Sequence, residues 1–410
     1  MLRGFSPALA SVGLGLGLIA AAGTAHAEDT RGRVGAFRTQ LGELTEGLTL
    51  SVAQGVRFES NLVRTANDAQ TLALYGTTDS SDVISQTSLN IAFQTNTPKI
   101  QIKFLGDVSY ANYSNFDQFS GFVTGGAATA SWQFSNRCSM GANGRVERRV
   151  ANFEDVTQPI SDFQVEYGGD YQVACFILNR VRVTGQVFGD EVRNERNIFD
   201  LDDVDYWGWA GGIAFVSARR NEIGVRYRHA ETTRPHDPAD TPLDNDRIEG
   251  YTTFRIGNYL VATLTGGHER EHRQGSTTVN DGSGSIDLVW TPTSKLTTHL
   301  GFVSDTEDAT DLLNTTSQTD RVFATSDWQL TQRVSVGGNV SYEHDKLDAG
   351  VGNILTGVKE DLYSVSAYLQ HPFFRTVNVR WMAGYNKRGS DNPLRRYDNA
   401  MVGVSIGVGL

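Results

Sequence analysis

The residues His268-Glu269-Arg270-Glu271-His272 come nearest, in type and spacing, to a metal-binding motif. They fit His-Glu-x-x-His and also His-x-x-Glu-His, in which two histidines hold zinc beside a glutamate. The first pattern needs a helix, because only there do histidines four residues apart lie on one face. Residues 263–267 and 274–277 instead indicate a strand that runs into a loop, where the histidines would be about 13 Å apart. We therefore predict a solvated charged rim and no metal site.

Other catalytic chemistry has less support. The remaining histidines are scattered singly along the chain, and no convergent acid, base and nucleophile can be recognised in the sequence. We therefore predict that the protein is not an enzyme and holds no cofactor.

The two cysteines, Cys138 and Cys175, favour a disulfide. Residues that pair across a hairpin of strands 138–150 and 160–173 have numbers that add to about 313, which is also the sum for the two cysteines. Such a bond suits an oxidising compartment. Two separate buried thiols are the alternative.

Most of the chain alternates between apolar and polar residues with a period of two, so we expect strands to position these residues. In residues 48–59 the even positions are apolar apart from Gln54, and the odd positions are mostly polar or small. This alternation is typical of strands with one apolar face. We mark eighteen such runs, at about 48–59, 82–94, 99–112, 120–134, 138–150, 160–173, 179–190, 205–216, 221–231, 247–257, 259–270, 282–290, 295–305, 318–330, 333–344, 360–371, 375–387 and 397–410.

The first 27 residues differ from the rest. Arg3 precedes an apolar run at 8–22, and Ala25-His26-Ala27 is a small-x-small cleavage pattern, which together predict a signal peptide at 1–27. The apolar run is shorter than the roughly 20 residues of a spanning helix. We expect a short periplasmic segment at 28–47 and a barrel at 48–410.

Three observations favour a transmembrane barrel over a soluble sandwich or a propeller. All eight prolines beyond residue 27 lie in connections or at strand ends. All six tryptophans share the apolar parity, mostly near strand ends, where an interfacial girdle would lie. The opposite parity carries charged and amide side chains, which a water-filled lumen accepts and a soluble core would not. We predict an all-β fold: a transmembrane antiparallel up-and-down β-barrel of about 18 strands, with 16 as the alternative.

Three stretches carry a resemblance to a known family: GVRFESN at 55–61, SDVI at 81–84 and DVSYANY at 107–113. They resemble the β-barrel porin type of Gram-negative outer-membrane proteins, often associated with exopolysaccharide export. The resemblance implies an outer-membrane location after cleavage near Ala27. It also implies outer-membrane lipid and lipopolysaccharide, the barrel-assembly machinery and polysaccharide export components as partners.

The charge balance bears on partners as well. The 47 acidic and 36 basic residues give a formal net charge of −11, whereas nucleic-acid-binding proteins usually carry a basic stripe. Nucleic acid is therefore not an expected partner. Acidic residues near 200–205 and 237–246 are read as solvated loops, with cation bridging to lipopolysaccharide as the alternative.

The polar parity of the predicted strands supplies the candidate pore lining. Its arginines are concentrated on a few neighbouring strands, which predicts a cationic wall that favours anionic or sugar-like permeants; cross-strand ion pairs are the alternative. The candidates are Arg145, Arg149, Arg182, Arg226, Arg228, Arg255, Arg380, Glu166, Asp170, Glu249, Asp287 and Asp327.

These observations lead to one functional hypothesis and two alternatives. The first is a channel for hydrophilic solutes or for an exported polysaccharide, because barrels of 16 to 18 strands leave an aqueous lumen. The second is a non-conducting structural or docking barrel, which depends on whether the loop at 60–81 folds inward. The third is an outer-membrane enzyme.

Overall fold

The computed structural model describes residues 47–150, 163–195, 203–236, 242–273, 279–308, 315–349, 357–374 and 376–409. The chain divides into two compact units, 1–40 and 41–410, and all described residues belong to the second. The expected signal peptide lies outside the described residues, as does the expected periplasmic segment except for Gly47.

One antiparallel sheet of eighteen strands closes on itself. Each strand pairs with the next along the chain, and the last pairs with the first. Closure leaves no strand edge unpaired, as a lipid environment requires. The prediction of an 18-stranded up-and-down barrel is confirmed. The strands are β1 (Gly47–Glu59), β2 (Asp82–Asn96), β3 (Ile100–Tyr113), β4 (Gly121–Trp132), β5 (Cys138–Val150), β6 (Phe163–Phe176), β7 (Val181–Asn194), β8 (Val204–Val216), β9 (Glu222–Thr233), β10 (Leu243–Ile256), β11 (Leu260–Arg273), β12 (Val279–Thr293), β13 (Leu296–Asp308), β14 (Thr315–Gln329), β15 (Ser335–Ala349), β16 (Lys359–Pro372), β17 (Val377–Ser390) and β18 (Tyr397–Gly409).

The connections alternate in length, so the barrel has two unlike ends. At what we call the short-turn end, connections such as 217–221 and 257–259 are tight. Gly257 has a φ of +58° there, and a Cβ on it would lie 2.8 Å from the Tyr259 ring. Only glycine adopts such a conformation readily. The opposite end, the long-loop end, carries connections such as 60–81.

Several strands extend further toward the long-loop end than the sequence predicts. Strand β10 begins at Leu243 instead of residue 247, and β11 ends at Arg273 instead of residue 270. These two terminal residues pair directly with each other. Apart from Leu243, the added residues are polar on both faces, so the apolar alternation that reveals a strand in sequence is absent.

The connection 60–81 contains a short helix, α1 (Asp68–Tyr75). The Asn67 side chain caps its start by accepting a hydrogen bond of 3.0 Å from the Gln70 N–H. Gly76, with a φ of +74°, ends it. In the described part of the chain, no helix has the length and hydropathy that crossing a membrane requires.

The apolar side chains of the barrel wall face outward. Every strand exposes at least one large apolar side chain on this side, including Val340 at 56% and Ile406 at 51% exposure. A soluble protein rarely exposes so continuous an apolar surface. A barrel in lipid needs this belt, because its outer face is the one that contacts hydrocarbon.

Candidate pore lining

The strand register places all twelve predicted pore-lining residues on the inward side. Each lies on the parity opposite to the exposed apolar belt, as Arg145 does beside outward-facing Val146. Because paired residues face the same side, the assignment passes from strand to strand around the barrel. The twelve residues are Arg145, Arg149, Arg182, Arg226, Arg228, Arg255, Arg380, Glu166, Asp170, Glu249, Asp287 and Asp327.

Arg145 joins carboxylates from two further strands. Its Nη2 lies 2.7 Å from Glu166 Oε1 on β6 and 2.8 Å from Asp190 Oδ1 on β7. Gly168 of β6 lies between Arg145 and Asp190 in the register, and a Cβ there would collide with both side chains. Glycine on the middle strand therefore allows the outer two side chains to meet.

Three other predicted arginines of this wall, Arg182, Arg226 and Arg228, also have partners. Arg182 on β7 forms an ion pair with Glu222 on β9. Arg226 Nε donates to Glu249 Oε2 at 2.9 Å. Arg228 lies with its guanidinium carbon 4.5 Å above the centre of the Phe188 ring and bonds the Tyr206 hydroxyl. Cross-strand pairing is thus the arrangement that the structure shows for this wall.

Three more predicted lining residues contact neutral side chains. Asp170 accepts a 2.9 Å hydrogen bond from the Asn143 amide. The Tyr368 hydroxyl donates to Asp327, and the Arg380 guanidinium carbon lies 4.0 Å from the centre of the same tyrosine ring. These contacts orient the side chains on the inner wall.

The predicted cationic wall is corrected by the register. The inward side of β5–β10 carries the predicted arginines and Arg247, but it carries nearly as many carboxylates, so this wall is close to neutral. The prediction was wrong because it counted arginines by strand and left out acidic residues on the same face. The carboxylates are those of Glu147, Glu166, Asp170, Asp190, Glu222 and Glu249.

Sequence reasoning also missed Arg247, the centre of a charged cluster. Its guanidinium contacts Glu269 and Asp305, and Nη1 donates to Asp305 Oδ2 at 3.1 Å. The alternation along β10 and β11 is enough to place Arg247 and Glu269 on the inner face. The contact to Asp305 reaches across two intervening strands, which no pairwise register in the sequence reveals.

The histidine motif lies entirely within β11, as the strand interpretation requires. His268 and His272 fall on the outward parity, opposite Ile248 and Asp244. Glu269 points inward to Arg247 instead. The motif is therefore divided between the two faces of the wall. Among the described residues, no group of three or more acidic, histidine or cysteine side chains is arranged to hold a metal.

One hydrolase-like serine pattern, which the sequence analysis did not recognise, also lies within a strand. Residues 403–407 read Gly-x-Ser-x-Gly, which in hydrolases forms a sharp turn between a strand and a helix. Here they lie inside β18, with Ser405 opposite Arg380 on the inner face. A serine in an extended strand lacks the exposed position of a nucleophile elbow.

The two cysteines lie directly opposite each other on β5 and β6. Their numbers obey the sum found in the sequence, their Cα atoms are 4.2 Å apart, and their sulfur atoms form a disulfide. The bond lies at the short-turn end on the outward parity, away from the charged lining.

The connection 60–81 folds inward at the long-loop end. Leu62 and Val63 are each 3% exposed and pack with Ile84, Ala111 and Tyr113. The latter three residues lie on the inward side of β2 and β3. This part of the loop therefore covers the inner wall instead of extending away from the barrel.

Polar contacts hold the same loop to the last strand. The Asn61 N–H donates to Asn399 Oδ1 at 3.0 Å, and the Asn399 amide donates to Glu59 at 3.0 Å. The Gln70 amide donates to the Leu394 carbonyl oxygen at 3.0 Å. The loop is thereby fixed on the wall formed by β18, β1, β2 and β3.

Charged side chains replace apolar ones on the outward face near the long-loop end. The same constellation occurs twice there: a tyrosine hydroxyl and a histidine Nδ1, two residues apart on one strand, contact one aspartate on the next. The two sets are Tyr227, His229 and Asp246, and Tyr342, His344 and Asp361. These sets mark where the apolar belt ends.

The sequence matches no protein-family model and no curated protein sequence. Three similar solved structures come from Pseudomonas aeruginosa. OccK2 (OpdF) shares 12% identity at a TM-score of 0.43, with 88% of this chain and 98% of that chain covered. The outer-membrane protein OpdK shares 12% at 0.44, covering 88% and 99%. The siderophore receptor PirA shares 9% at 0.41, covering 89% and 80%. These values are too low to support conclusions about this chain.

Proposed function

We propose that the protein is an outer-membrane porin-like channel through which hydrophilic solutes pass along the barrel lumen. One observation carries the proposal: the wall is apolar outside on all eighteen strands, while its inner side carries charged and amide groups. A closed barrel of this size leaves an aqueous lumen unless loops fill it. Water-filled space is what the inner side chains need, because an unpaired buried charge is costly.

The proposed orientation follows from the two unlike ends. Outer-membrane barrels have short periplasmic turns and longer loops outside, so the short-turn end would face the periplasm. The disulfide between Cys138 and Cys175 lies at that end, and the periplasm is an oxidising compartment in which disulfides persist.

Planar-bilayer recording tests the proposal. Purified, refolded protein should produce stepwise increases in conductance as single barrels insert, whereas the same protein kept unfolded in urea should not. Folding is verified in parallel by the β-type circular dichroism of the sample. A folded barrel that inserts without conducting would contradict the channel.

The inward fold of loop 60–81 favours a second candidate, a non-conducting barrel. Leu62 and Val63 cover part of the inner wall at the long-loop end, and a loop in this place narrows or closes the entrance. Replacing residues 62–79 by a short glycine-serine linker separates the two candidates. A wild type that conducts supports the channel; conductance confined to the shortened variant supports the closed barrel.

The exported-polysaccharide version of the hypothesis rests on the sequence resemblance alone. No contact among the described residues favours a polymer over a small solute as permeant. The proposal therefore names hydrophilic solutes as the class.

A further inference from the structure

We infer that the lumen favours cations over anions, because the inward side of β12–β15 forms an acidic wall. The inference rests on the proposed function, since selectivity requires a conducting lumen. Among the inward residues with described side chains on these four strands there are six carboxylates, one arginine, Arg321, and one imidazole, His299. The carboxylates are those of Asp281, Asp287, Asp305, Asp327, Glu343 and Asp345.

The acidic wall extends along most of the barrel height. Asp345 lies near the long-loop end, opposite Thr319 of β14. Asp327 lies near the short-turn end, opposite Gly337 of β15. Asp287 lies nearer the middle of β12, opposite Gly301 of β13. A solute that moves through the lumen therefore passes carboxylates at both ends of this wall.

Two of these carboxylates contact groups that carry no fixed positive charge, unlike the partners of the carboxylates on β5–β10. Asp327 accepts a hydrogen bond from the Tyr368 hydroxyl, which carries no charge. Asp287 lies 2.5 Å from the His299 imidazole. On β5–β10, by contrast, guanidinium groups meet carboxylates, as Arg226 meets Glu249. The hydroxyl orients the carboxylate but does not cancel its charge, whereas the ion pairs largely do.

Three guanidinium groups reduce the negative charge of the acidic wall but do not remove it. Arg247 reaches Asp305 from β10, and Arg321 lies 3.9 Å from Glu343. Arg380 of β17 stacks on the Tyr368 ring beside Asp327 and interacts with that carboxylate. Even if all three guanidinium groups are counted against the wall, the carboxylates remain in excess. The nearly balanced β5–β10 wall opposes this negative charge only weakly. Fixed lumen charges of one sign raise the local concentration of counter-ions and so set selectivity.

Reversal potentials in a KCl gradient test this inference on the full-length protein. The wild type should show a potential of the sign given by preferred passage of K⁺. The double variant Asp287→Asn/Asp327→Asn should shift the potential toward that of Cl⁻, while tyrosine and imidazole contacts can still be made to the amides. A matched control, Asp246→Asn/Asp361→Asn, removes the same charge from the outward face and should leave the potential unchanged.

The possible results separate this inference from the proposed function. Folded wild type without conductance overturns the channel itself. Conductance with no preference, or with a preference for Cl⁻, overturns cation selectivity and leaves the channel standing. An equal shift of the reversal potential in both double variants overturns the inference that the acidic wall sets the cation preference. Because the screening length falls from about 10 Å at 0.1 M salt to about 3 Å at 1 M, the wild-type preference should also weaken as salt rises.

Discussion

Arginine should destabilise the barrel far more at Val365 than at Ser366, the next residue along β16. Both lie near the middle of the strand, so they share the same depth, but they face opposite sides. Val365 points outward, is 44% exposed, and lies between outward-facing Val340 and Tyr385 on the neighbouring strands. Ser366 points inward, opposite the uncharged amide of Asn339.

The magnitude follows from the two environments. An arginine on the lipid face costs about 2–4 kcal/mol at the bilayer midplane. In an aqueous lumen the guanidinium keeps its hydration, and a substitution of this kind costs about 0.5 kcal/mol or less. A difference of about 2 kcal/mol corresponds to roughly a 30-fold difference between the unfolding equilibrium constants of the two variants.

Urea unfolding in phospholipid vesicles measures this difference, with the fluorescence of the six tryptophans as the signal. Both variants must first refold to the same β content as the wild type. Equal losses of stability at Val365 and Ser366 would refute the assignment of outward and inward faces. A larger loss at Ser366 would mean that the inner side of the wall is dry, which would also remove the basis for the channel.

The fold could be predicted from the sequence because a barrel wall separates lipid from water at each residue. That separation produces the period-two pattern, which predicts all eighteen strands to within five residues at either end. The largest errors lie at the long-loop end, as at residues 244–246 of β10, where polar residues occupy both faces and the alternation disappears. Strand pairing beyond the apolar belt depends on backbone hydrogen bonds, which leave no pattern in residue type.

The pore lining could be predicted only as a set of inward residues, because parity gives the side but not the partner. Arg145 with Asp190 and Arg247 with Asp305 join strands that are not neighbours in the sheet. Such contacts depend on barrel curvature and on glycine in the intervening strand, here Gly168. The predicted cationic wall was wrong for a different reason: carboxylates such as Glu147, Asp190 and Glu222 share the inward parity with the arginines and balance their charge.

The remaining predictions concern covalent, loop and packing contacts. Non-reducing mass spectrometry should find one peptide linked through Cys138 and Cys175, and removing the bond should lower the free energy of unfolding by about 3–4 kcal/mol; two alkylatable thiols in membrane-derived protein would contradict this. Replacing Asn399 by alanine removes the acceptor that holds the loop between β1 and β2, so an added protease should cleave that loop faster; an unchanged rate would show that apolar contacts alone hold it. Gly168→Ala should cost about 1–3 kcal/mol, because its Cβ would enter the ion pair that crosses above it and force the Asp190 and Arg145 side chains apart. Gly407→Ala is the matched control on the same inner face, since a Cβ there meets its nearest atom at 3.7 Å. Equal costs in urea unfolding would mean that the charged side chains above Gly168 move aside freely, and that the ion pair does not fix the geometry of this wall.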